Sequence, residues 1–118
     1  MSRLDRRHES TPRYGVNQHC RGRGAHRISG APLEFRGVDV SLHGFGVVLV
    51  GHVQPRDTII LEIGDASLTF EVMWVESHLG IDNTYRAGLQ CLDRMLDVRG
   101  RLTNMGFVTM PLEDGFVA

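Results

Sequence analysis

Apolar and polar residues alternate along most of this chain in short runs, each cut off by a cluster of turn-forming residues. That is the pattern of half-buried strands joined by tight turns. Tyr14, Val16 and Cys20 open an irregular first strand. The stretch from Arg21 to Pro32 holds Gly22, Gly24 and Gly30 besides the proline, and so many breakers predict a loop or a ragged hairpin. Leu33, Phe35, Val38 and Val40 form the next apolar set, and Phe45 with Val47 to Val50 another, with a turn near Gly44 between them. Gln54-Pro55-Arg56-Asp57 is turn chemistry, and Thr58 to Ile63 meets Leu68 to Val75 across Gly64-Asp65, a hairpin signal. Leu68, Phe70, Val72 and Trp74 share the inward face of that strand, with Thr69, Glu71 and Met73 opposite. Beyond a polar break at His78, Gly80, Asp82 and Asn83 comes a last alternating set, Tyr85, Ala87, Leu89 and Cys91.

Leu92 to Leu102 predicts a short helix capped by Asp93, with Met95, Leu96 and Leu102 inward and Gly100 weakening its end. About six short strands and one terminal helix predict an all-β fold, a small six-stranded antiparallel barrel closed to remove its edges. A chain of 118 residues with 42% hydrophobic content buries one core, not two. The expected organisation is an Arg-rich arm over 1–13, a barrel over 14–105 and a poorly specified C-terminal tail over 106–118.

The net charge of -1 gives no global reason to bind polyanions, but the charge is unevenly placed. Arg3, Arg6, Arg7, Arg13, Arg21, Arg23 and Arg27 face only Asp5 and Glu9 in the first stretch, so the N-terminal segment seeks anions. All basic residues other than histidine are Arg. The opening MSRLDRRHES has no apolar centre, and no run approaches the roughly 18 apolar residues of a membrane helix. A cytoplasmic protein without membrane insertion is expected. Cys20 and Cys91 are far apart and read as free thiols, while His8, His19, Cys20 and His26 lack zinc-binding spacing. No GxSxG, HExxH or phosphate-loop motif is present, which argues against an enzyme. The strands carry too few aromatics among basic residues for a single-stranded nucleic-acid binder.

Asp39-x-Ser41-x-x-Gly44 has the (D/N)xSxxG form of the PilZ family, and Val72-Met73-Trp74-Val75 and Tyr85-Arg86-Ala87-Gly88-Leu89 are similar to that family's closing strands. The resemblance covers roughly residues 6–92 and implies a six-stranded barrel that binds the bacterial second messenger cyclic di-GMP and relays the signal to a protein partner. It implies ligand contacts from Arg6, Arg7 and Arg13 in the arm, from Asp39, Ser41 and Gly44 in the motif, and stacking on Trp74. The family's RxxxR motif is incomplete here, because Glu9 stands four residues before Arg13. The alternative expectation is a divergent PilZ adaptor that acts through protein contacts without the nucleotide.

In ligand terms, an Arg fork matches the O6 and N7 acceptors of guanine. Asp39 suits its N1 and N2 donors, and the Ser41 hydroxyl suits a phosphate or ribose oxygen. Gly44 would let the backbone approach the ligand in a conformation that a Cβ hinders.

Overall fold

The computed structural model describes residues 12–111. In chain order it contains β1 (Tyr14–Val16), β2 (Arg21–His26), β3 (Pro32–Val40), β4 (Gly44–Val50), β5 (Thr58–Ile63), β6 (Ala66–Ser77), β7 (Thr84–Cys91), α1 (Val98–Asn104) and β8 (Val108–Pro111). Six of the strands run in the order β2-β5-β6-β7-β4-β3, and pairing of β2 with β3 shuts them into a closed barrel. β1 pairs with the end of β3, and β8 covers β1. All pairings are antiparallel. The all-β barrel with a short C-terminal helix is the architecture the alternating runs predict.

The inward positions of those runs make the core. Leu33, Phe35, Phe45, Val47, Leu49, Ile59, Leu61, Leu68, Phe70, Val72, Ala87 and Leu89 are buried together. Phe45 sits at the centre, edge-on to Phe35 at 5.9 Å and tilted against Phe70 at 5.7 Å. Fully burying each such ring contributes about 1.5–3 kcal/mol. One end of the barrel is stopped by α1, whose Val98 and Leu102 are fully buried.

The structure differs from the sequence pattern at several places, the first being Cys20, which lies beyond the end of β1 rather than in it. Arg21 to Pro32, expected as a loop or a ragged hairpin, is the regular strand β2 and the turn of a hairpin whose second strand is β3. The glycines of β2 serve closure: a Cβ at Gly22 would lie 2.8 Å from the Glu62 carbonyl oxygen, and one at Gly24 would lie 2.6 Å from a Leu61 methyl. Glycine is what lets two backbones approach where the barrel shuts. The helix starts at Val98 and is capped by Asp97, not Asp93. Asp93 instead holds an exposed turn through Met95 N, and Met95 is 93% exposed rather than inward. Gly100 lies in the first turn, and its N–H donates to Asp97 Oδ1 at 2.8 Å. Val38 is a half-exposed bulge residue, not a core one. Finally, the stretch after Met105 supplies β8, so the tail adds a strand to the sheet.

Candidate functional site

Two strands of the barrel carry an extra residue where they pass the same spot. The β3–β4 register slips between Gly37 and Asp39, leaving Val38 over, and the β6–β7 register slips between Val72 and Trp74, leaving Met73 over. A bulge of this kind reverses which face the following side chains take. Along β3 the inward set runs Leu33, Phe35, Gly37 and then Val40, so Asp39 is released to the outer face. Along β6 it runs Leu68, Phe70, Val72 and then Val75, so Trp74 turns outward. Strict alternation places Trp74 in the core; the bulge at Met73 is why it is half-exposed instead.

The register then lines up one row across five strands: Gly15, Asp39, Gly46, Gly88 and Trp74. Gly46 and Gly88 are the bare middle of this row. A Cβ on Gly46 would run into Asp39 Oδ1, and one on Gly88 would run into the indole of Trp74 at Nε1 and Cε2. The two glycines therefore let the carboxylate and the ring lean in over the sheet from opposite sides. Around them lies a cleft of about 500 Å³, bordered by Arg13, Asp39, Ser41, His43, Trp74, Arg86 and Gln90 among others. That volume falls within the usual range for small-molecule sites.

At one end, Arg13 Nη2 donates to Asp39 Oδ1 at 2.6 Å, and Arg13 Nη1 makes a long 3.5 Å approach to Ser41 Oγ. Such charge-assisted bonds are the stronger class. Ser41 is only 6% exposed. Its Oγ accepts from Gly44 N at 3.1 Å, while its own N–H donates to the Gly44 carbonyl at 2.9 Å. Ser41 and Gly44 thus close the turn into β4, and the Ser41 hydroxyl proton remains available for donation. Gly44 has no left-handed backbone; its need is for space, since a Cβ there would lie 2.8 Å from Ser41 Oγ. The same turn is tied to the helix region. Val98 N donates to Leu42 O at 2.9 Å, and His43 Nδ1 lies 3.2 Å from Leu96 O. Beside Arg13, the ring of Tyr14 carries the Arg99 guanidinium 5.1 Å from its centroid.

At the other end, the Arg86 guanidinium lies 5.8 Å from the centroid of Trp74 and donates from Nη1 to Val47 O at 3.2 Å.

Of the residues singled out from sequence, Arg13, Asp39, Ser41, Gly44 and Trp74 come together on this cleft. Arg6 and Arg7 lie outside the described residues, as do Arg3, His8 and Glu9. Gly46, Arg86, Gly88 and Gln90 were not singled out. The two glycines carried a signal, since glycine inside a strand marks a close approach. Arg86 stands in the Tyr85-Arg86-Ala87-Gly88-Leu89 segment that marks the closing strand, but nothing in that segment separates a ligand-facing Arg from an ordinary outward one.

Among the described residues, no three His, Cys, Asp or Glu side chains gather as a metal site. No helix there is long and apolar enough to cross a membrane. Comparison of the chain with family models, with curated proteins and with solved structures finds no match.

Proposed function

We propose that this protein is a PilZ-type receptor that binds cyclic di-GMP in the cleft and passes the signal to a protein partner in the bacterial cytoplasm, without catalysing a reaction. The observation that carries this reading is the convergence of Arg13, Asp39, Ser41 and Trp74, residues 13 to 74 in the chain, on a single concave surface. An Arg fork offers paired donors to the guanine O6 and N7 or to a phosphate. A carboxylate accepts from the guanine N1 and N2 donors. An outward indole beside a glycine floor gives a base a flat face to lie on. In this reading the ligand takes over the Arg13–Asp39 pairing rather than adding to it, and the Arg-rich segment ahead of Pro12 supplies further guanidiniums, Arg6 and Arg7 among them.

A second reading is favoured by one specific contact. Arg13 and Asp39 already satisfy each other at 2.6 Å, and Glu9 stands where a further Arg would strengthen the anion site. A divergent adaptor that keeps the barrel and works through protein contacts alone would look like this.

Isothermal titration with cyclic di-GMP separates the two, with GMP and cyclic di-AMP as controls. The receptor reading expects binding by the full chain. Hydrogen bonds to charged groups contribute about 1.5–3 kcal/mol each, so Arg13→Ala and Asp39→Ala should each weaken binding by at least about tenfold. Titration without heat at high protein concentration sinks the receptor reading and leaves the adaptor.

A further inference from the structure

We propose that Arg86 is a ligand-binding residue, forming with Trp74 a composite subsite for a planar ring with acceptor atoms or negative charge at its edge. This rests on the nucleotide reading above and assigns the half of the cleft opposite Arg13 and Asp39.

The two arginines of the cleft differ in how their charge is met. Arg13 is paired with Asp39. Among the described residues no carboxylate lies within ion-pairing distance of Arg86, and the one Arg–carboxylate pair there is Arg13–Asp39. Glu76 sits opposite Arg86 in the register and still does not pair with it. The Arg86 side chain is half-buried, and the hydrogen bond it donates goes to the neutral Val47 carbonyl. A guanidinium has five N–H donors in a planar fork, so Arg86 keeps donors for an incoming acceptor pair. Its approach to Trp74 at 5.8 Å is within the range where the ring face attracts a cation.

The surroundings favour the same kind of ligand. One outward row across the sheet reads Arg21, Arg36, Val48, Arg86 and Glu76. Arg21 and Arg36 are directly opposed, and neither has a carboxylate in ion-pairing distance among the described residues. Like charges facing each other in a ladder are unfavourable, and this strip draws anions toward the Arg86 end of the cleft. The Asp39 carboxylate leans over Gly46 and the Trp74 indole over Gly88, directly paired on neighbouring strands, so the two ends of the cleft face each other across one strand spacing, roughly 5 Å. A ligand with two ring-and-anion halves offers one half to each end. The row thus sets Arg13 and Asp39 to hold one half and Arg86 with Trp74 to hold the other.

Trp74 is the only tryptophan of the chain, so its emission reports on this subsite alone. The test titrates cyclic di-GMP into wild type, Arg86→Ala, Arg86→Lys and Arg36→Ala, followed by both tryptophan emission and calorimetry, with circular dichroism confirming that each variant is folded. The expected result is at least a tenfold loss for Arg86→Ala and only partial recovery in Arg86→Lys, whose ammonium lacks the planar fork. Arg36→Ala should change affinity by a few-fold at most, an effect abolished by added salt. GMP should bind wild type far more weakly than the cyclic dinucleotide. Binding by folded Arg86→Ala within twofold of wild type overturns the assignment of Arg86 while leaving the nucleotide reading intact. Wild type that fails to bind overturns both.

Discussion

A single methyl group separates a plain strand position from a site position at Gly88. The indole of Trp74 lies where the Cβ of any other residue would be, so Gly88→Ala must lift the ring off the sheet. Overpacking of this sort costs about 1–3 kcal/mol, and Trp74 would lose its contact with Gly88 while remaining on an outward position of β6. Gly88→Ala is therefore expected to fold with a lowered urea midpoint, a shifted Trp74 emission and weakened binding of any ring that lies on the indole. Unchanged emission would show that the ring does not depend on Gly88. At this scale the sequence was partly legible. Asp39, Ser41 and Gly44 stand out by spacing, and Gly46 and Gly88 stand out as glycines within apolar strands. The reason for Gly44 was not legible: its hydrogen has to leave room for Ser41 Oγ, a contact that exists only once the turn is closed.

Between elements, what escapes the sequence is the bulge. Alternation alone puts Asp39 on the same face as Leu33 and Phe35, and Trp74 on the same face as Phe70 and Val72. Both assignments are reversed by a single unpaired residue, Val38 or Met73, and neither residue has a composition that announces it. The helix boundary fails for a related reason. Asp93 and Asp97 are both plausible caps in Leu92-Asp93-Arg94-Met95-Leu96-Asp97, and only the docking of Val98 and Leu102 into the barrel end chooses the second. Removing an N-cap carboxylate costs about 1 kcal/mol. Asp97→Ala should therefore lower stability by about that amount in urea unfolding, while Asp93→Ala, which loses only a bond to Met95 N in an exposed turn, should cost a few tenths at most. Equal losses would mean that the helix extends back to Asp93 in solution.

On the scale of the whole molecule, closure is the step that the strand count foretells and the residues 21–32 conceal. Six alternating runs need a way to hide their edges, yet the strand that shuts the ring, β2, is the one whose glycines read as a loop or a ragged hairpin. The buried surface also explains the thiols, which spacing alone marked as unpaired. Cys20 lies in no strand, in the connection between β1 and β2, and is fully buried with its Sγ under Gly37 near Phe45. Burial pushes its thiol from the ordinary 9.0 up to about 12, and burial also raises Cys91. Both thiols should resist iodoacetamide in the native state at pH 8.5 and react on unfolding. The sign of the pH effect follows from proton counting. Between about pH 9 and pH 12 the unfolded chain has released the Cys20 proton while the folded chain retains it, so the folded state binds more protons and stability falls as pH rises. Below pH 9 that stabilisation is fully present. The slope from one such group is at most about 1.4 kcal/mol per pH unit. Cys20→Ala removes the group, so urea midpoints taken from pH 8 to pH 10.5 should decline less steeply in the variant than in wild type, whatever the cost of the small cavity. Parallel declines would mean that Cys20 ionises as readily in the folded barrel as in the open chain, and that the β1–β2 connection opens to water on its own.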